Sequence, residues 1–157
     1  MNELIATAKE SVIIAKNGFL STFSHVPDEK LSWSPAQTSK SPLHIAAHAG
    51  VVNDRIAGLI RGEKPAESMS GFLDDIRAQE LAITSREQAV RQIEESTQRV
   101  LRAIDDLTPS RLSGDVHLPI GSIAMSLFVL FPTRHFDLHA GQIDYVETIW
   151  GDLEVYL

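Results

Sequence analysis

Ser41-Pro42-Leu43-His44-Ile45-Ala46-Ala47-His48 is the stretch whose reading decides the fold. A serine before a proline marks a helix start. The serine side chain caps the first turn, and the proline has no N–H to lose there. Ile45, His48, Val52, Ile56 and Ile60 then recur on one face, which predicts a helix over residues 42–60 with Gly62 as its stop.

The same period appears on both sides of this helix. Leu4, Ala8, Val12, Ala15, Phe19 and Phe23 predict a first helix over residues 2–24. Residues 25–41 read as a structured loop that Leu31 and Trp33 pin to the core. Residues 62–83 form a long connection with a short helical turn at 74–81. Thr84 and Glu87 have the spacing of a capping box, and a third helix runs to Leu107, with Pro109 stopping it. After a loop at 108–120, Ser122 caps a fourth helix over 122–148, kinked at Pro132. Gly141 is read as a point of close helix–helix approach. The expected architecture is all-α: a single-domain four-helix bundle over residues 1–157, with long loops between helices one and two and between two and three.

Composition narrows the function. The chain has 157 residues, six histidines and no cysteine. Disulfides, thiolate metal sites and a cysteine nucleophile are therefore excluded. A net charge of −7 argues against nucleic-acid binding. No apolar run approaches the roughly 18 residues of a membrane span. The N-terminus lacks a basic, cleavable leader pattern, so the expectation is a cytoplasmic protein.

The histidines carry the chemistry. His44 and His48 lie four apart on the second helix, and His135 and His139 four apart on the fourth. Side chains at i and i+4 share a helix face, so two imidazoles can converge on one metal ion while a third ligand comes from another helix. Coordination positions then remain for water or substrate. The competing reading is four half-buried histidines held by backbone or carboxylates. Neither pair is His-Glu-x-x-His, so the zinc-protease reading fails. His25 and His117 fall in loops and read as surface or capping residues.

The run Leu31-Ser32-Trp33-Ser34-Pro35, the segment Ser41–His48 and the closing stretch His135-Phe136-Asp137-Leu138-His139-Ala140-Gly141-Gln142-Ile143 together resemble the DinB/YfiT-like superfamily. The resemblance covers nearly the whole chain. It implies a four-helix bundle holding a divalent metal ion, zinc or nickel, through His48, His135 and His139. His44, Asn53 and Gln142 are then pocket-lining or ligand-supporting candidates, and Asp137 and Asp144 candidates for orienting imidazoles. Relatives often carry a carboxylate one turn past the second-helix histidine, and here that region reads Val52-Asn53-Asp54.

The resemblance further implies a metal-dependent transferase, isomerase or hydrolase acting on a small molecule. A low-molecular-weight thiol is one such partner, and it would come from outside a chain without cysteine. The alternative is a non-catalytic metal- or ligand-binding bundle. A homodimer is expected from apolar residues of the fourth helix and the tail at 155–157.

Overall fold

The computed structural model describes residues 2–156. Ser41 accepts a hydrogen bond from the His44 amide (3.2 Å), Pro42 occupies the first turn, and helix α2 (Pro42–Arg61) begins where the cap predicts. Gly62 ends it in the left-handed conformation at φ 96°, which a residue with a Cβ adopts only under strain. Helix α1 (Asn2–His25) buries Ala8, Val12, Ala15, Phe19 and Phe23, the expected stripe.

Helix α3 (Met69–Leu81) is longer than the turn expected at 74–81. Ser68 caps it by accepting from the Gly71 amide (3.1 Å). Only Ile76 and Glu80 are buried along it, so it has no apolar stripe to reveal it. Helix α4 (Arg86–Asp105) starts one residue later than the Thr84–Glu87 pair suggests. Ser85 caps the Gln88 amide, and the Gln88 side chain accepts in return from the Thr84 amide (2.7 Å). Pro109 does not stop this helix. The helix has already ended, and Pro109 opens a short helix α5 (Pro109–Leu112) capped by Thr108.

The largest correction concerns the expected helix over 122–148. Strands β1 (Asp115–Leu118) and β2 (Gly121–Ala124) form an antiparallel hairpin, and Ser122 lies in it opposite His117. Ser122 therefore caps no helix. A short helix α6 (Met125–Phe128) follows, and α7 (Phe131–Ile149) carries the rest. Pro132 sits in the first turn of α7, where no hydrogen bond is lost, so no kink arises. The fold is mostly helical but not all-α. Strands of four residues are too short to show sustained alternation in sequence.

Four long helices carry the core. α2 packs on α4, α1 on α7, and the contacts α2–α7 and α1–α4 close the set. At the α2–α4 crossing, a Cβ on Gly50 would meet the Gln92 side chain at 2.8 Å and the α4 backbone at 3.2 Å. Asp54 of α2 accepts from Gln92 (2.7 Å) and from Arg99 (2.9 Å) beside this contact. Phe19, Phe23 and Phe136 fill the space between α1 and α7, with Phe19 and Phe136 ring centroids 5.6 Å apart. Gly141, by contrast, is exposed with nothing within 4 Å of a Cβ, so it marks no close approach.

The ends of α1 and α7 are covered by the chain's last described residues. Tyr156 stacks on His25 at 3.7 Å, and its carbonyl accepts from Thr22 (3.1 Å). Leu157 of the apolar tail lies outside the described residues. Glu147 of α7 is 2% exposed, and neither carboxylate oxygen has a hydrogen-bond partner among the described residues. Burial, with the charges of Asp152 and Asp144, pushes this carboxyl up to about 7 against the weaker opposing effect of His25. A raised carboxyl stabilises the fold fully below its ordinary value of 4.5, and that contribution disappears as pH rises through 7. Glu147→Gln has no such dependence. The variant is expected to gain about 1–3 kcal/mol on the wild type between pH 5 and pH 8, read from urea midpoints. An equal difference at both pH values would contradict this account.

Candidate metal centre

α2 and α7 bring three imidazoles to one point. His48 projects from the second turn of α2 and His135 and His139 from successive turns of α7. One nitrogen from each lies within 4.8 Å of the other two. The Nε2 atoms of His135 and His139 are 3.0 Å apart, and the His48 ring lies 4.8 Å from His139 and 5.4 Å from His135 between centroids. Among the described residues this is the one such cluster of metal-ligating side chains.

The hydrogen bonds decide which nitrogens point inward. His48 donates through Nδ1 to Glu80 Oε1 (2.5 Å), which leaves its Nε2 for the cluster. His139 donates through Nδ1 to Gln142 Oε1 (2.7 Å), with the same result. A carboxylate or amide on the far nitrogen fixes both tautomer and ring direction of an imidazole ligand. His135 has no such partner among the described residues, where its Nδ1 is buried and unpaired. Burial, then the neighbouring His139 and His48, pull His135 down to about 3. Burial likewise pulls His139 down to about 4, with the Gln142 bond acting against it. Both rings are thus neutral near pH 7, with lone pairs available. Two neutral rings whose Nε2 atoms lie 3.0 Å apart can share only one proton, whereas a cation accepts both lone pairs. The donor set fits a divalent metal ion.

Glu80 is the residue that sequence reasoning missed. It comes from α3, thirty-two residues beyond His48, and is 4% exposed. It accepts from His48, from His44 Nε2 (2.8 Å) and from Lys40 Nζ (3.1 Å). Burial raises its carboxyl, but the bonds from His48, Lys40 and His44 outweigh that and hold it down to about 2. Ionised Glu80 therefore supplies the carboxylate that the Val52-Asn53-Asp54 region does not. Its only signal in sequence is a glutamate near the end of the short helical turn expected at 74–81.

The other expected residues separate into two groups. His44 touches Glu80 and Gln142 touches His139, so both support the cluster from outside it. Asn53 is fully buried with neither side-chain polar atom paired among the described residues, and it does not line the cavity beside the histidines. Asp137 is exposed on the groove between α1 and α7. Asp144 lies near Thr22 and Glu147, away from the histidines. His117 is exposed on the hairpin and bonds Ser122 (2.8 Å), and His25 closes α1. Trp33 pins its loop by meeting Trp150 edge-on at 5.5 Å.

Comparison with known proteins bears on the fold. The sequence profile of the DinB superfamily matches residues 14–143. A mycothiol-dependent maleylpyruvate isomerase is similar in structure, with a TM-score of 0.74 at 15% identity over 88% of this chain. The chain spans 60% of that isomerase's length. A DinB-like protein from Bacillus subtilis aligns over 96% of both chains, with a TM-score of 0.67 at 14% identity. A comparison with curated proteins finds no match.

The tautomers give a direct check. At pH 8, two-bond nitrogen–proton NMR spectra are expected to show His48 and His139 protonated at Nδ1. Glu80→Ala should release His48 alone, and Gln142→Ala His139 alone. A His48 unaffected by Glu80→Ala would show that the carboxylate does not hold it.

Proposed function

Since the chain belongs to the DinB superfamily, we propose that it is a four-helix-bundle metalloprotein in which His48, His135 and His139 hold a divalent ion, zinc or nickel. We read residues 1–157 as one such domain and the activity as a metal-dependent transferase, isomerase or hydrolase of small molecules. The single observation that carries this reading is the convergence of three imidazole nitrogens within 4.8 Å, at one end of an apolar cavity that His48 and His135 also line.

A divalent ion held by three protein ligands supplies Lewis acidity and lowers the pKa of a thiol or water. The chain's own residues have separate tasks. Glu80 and Gln142 orient His48 and His139. Lys40 and His44 keep Glu80 ionised and in place. The buried walls around His135 and His139 limit water. A thiol co-substrate is supported by the thiol-dependent isomerase of similar fold and by the lack of any cysteine here. A negative chain with no membrane-length apolar helix among the described residues suits small-molecule chemistry in the cytoplasm. Leu138, Tyr145 and Ile149 are exposed on α7 and suit a homodimer.

One observation favours the non-catalytic reading. Glu80 is the carboxylate nearest the histidines, and three side chains already occupy it. Among the described residues no free carboxylate then stands beside the cluster as a general base.

Metal analysis decides the site. One divalent ion per chain is expected after zinc or nickel loading, lost in both His135→Ala and His139→Ala, with Glu80→Ala weakening affinity about 10–100-fold. Unchanged metal content in the two histidine variants would overturn the assignment. Thiol consumption across a panel of electrophiles by the loaded protein, absent in the variants, separates the enzyme from the binding protein.

A further inference from the structure

A cavity of about 540 Å³ opens from the histidines between α2, α3, the hairpin and the start of α7. Its volume lies within the range of small-molecule sites, roughly 300–1,000 Å³. His48 and His135 form one end. The walls are Ile56 and Leu59 of α2, Phe72 and Ile76 of α3, Ile123 of β2 and Phe128 of α6. Each is wholly or partly buried and carries no polar side-chain atom.

The charges that line it are confined to its mouth. Arg55, Glu63, Lys64 and Asp75 are partly or well exposed there. Arg55 is already paired with Asp75, and Glu63 with Arg61. Lys64, exposed at the mouth, is the one lining Lys or Arg without an ion pair among the described residues, so a multiply charged guest meets no counter-charge from the buried walls, and burying an unpaired charge is costly. An apolar guest meets the opposite situation. Ile120 at the hairpin turn is 76% exposed and Leu73 is 49% exposed, and both line the same cavity. Apolar side chains held at a mouth in contact with water lower their free energy when an apolar body covers them.

We propose that this chamber takes the apolar body, aliphatic or aryl, of the molecule on which the three-histidine site acts, with its donor end toward His48 and His135. The inference rests on the metal reading above, because the donor end needs an ion to meet it. α3 then has two tasks. Its last turn holds His48 through Glu80, and its first two turns supply the wall that selects the guest.

Straight-chain hydroxamic acids from two to eight carbons test this by calorimetric titration of the zinc-loaded protein. The head group chelates zinc, and the tail reports the chamber. Affinity is expected to rise about 3–4-fold per methylene. Met69→Trp and Ile123→Trp narrow the chamber from two different elements, and either is expected to flatten the series with zinc affinity unchanged. In parallel, 1-octanol added to the metal-free protein should shift the methyl resonances of Ile56, Ile76 and Ile123. A flat chain-length series together with unmoved methyls overturns the inference and leaves the metal site standing. Methyl shifts in a protein that takes up no zinc support the chamber and remove the metal reading instead.

Discussion

Gly50 leaves α2 without a side chain where it crosses α4, and the rest of the molecule is arranged around that close approach. With the α4 backbone 3.2 Å and Gln92 Cγ 2.8 Å from where a Cβ would stand, any other residue would require the Gln92 side chain to move and α4 to give by a few tenths of an ångström. The neighbouring Ala46, Ala47, Ala49 and Ala57 are buried and small, so α2 is enclosed along most of its length. A helix enclosed this way cannot easily rotate or slide. His48, two residues before Gly50, inherits that fixed position. Buried packing behaves as a set of discrete arrangements rather than a soft medium, and a side chain on such a helix is correspondingly well placed.

The histidine cluster sets polar groups against apolar surroundings. His135 and His139 are each 7% exposed and neutral, flanked by Phe136 and Ile143 in the core. Glu80 stays ionised at 4% exposure because three donors surround it. Without them, its burial would raise its pKa and weaken its hold on His48. The same physics runs the other way at Glu147, which is equally buried but has acidic neighbours instead of donors. Two buried glutamates thus take opposite protonation behaviour from their partners alone.

Much of the fold was legible in sequence where local rules agree with the packing. The Ser41 cap, the Gly62 stop and the α1 stripe all act within a few residues, so they read directly. Where the tertiary structure supplied the stabilisation, the reading failed. α3 buries two residues and depends on contacts to α2 through Arg55–Asp75 and Glu80. The hairpin is four residues per strand and stands on Val116 packing into the core. The apolar period continues across Pro132 and so predicts an interior kink, although the helix starts afresh at Phe131.

By itself, the sequence determined the caps, the apolar faces and two His-x-x-x-His pairs on helices, because each depends on spacings within one or two turns. It also excluded any thiolate supplied by the chain itself. Only the tertiary structure decided that His48 meets the α7 pair while His44 turns to Glu80. It alone showed that a carboxylate thirty-two residues away fixes the His48 tautomer, and that an apolar chamber begins at the same histidines. Those facts depend on how α2, α3 and α7 sit against one another. That placement follows from burial summed over the whole core, and no local spacing records it.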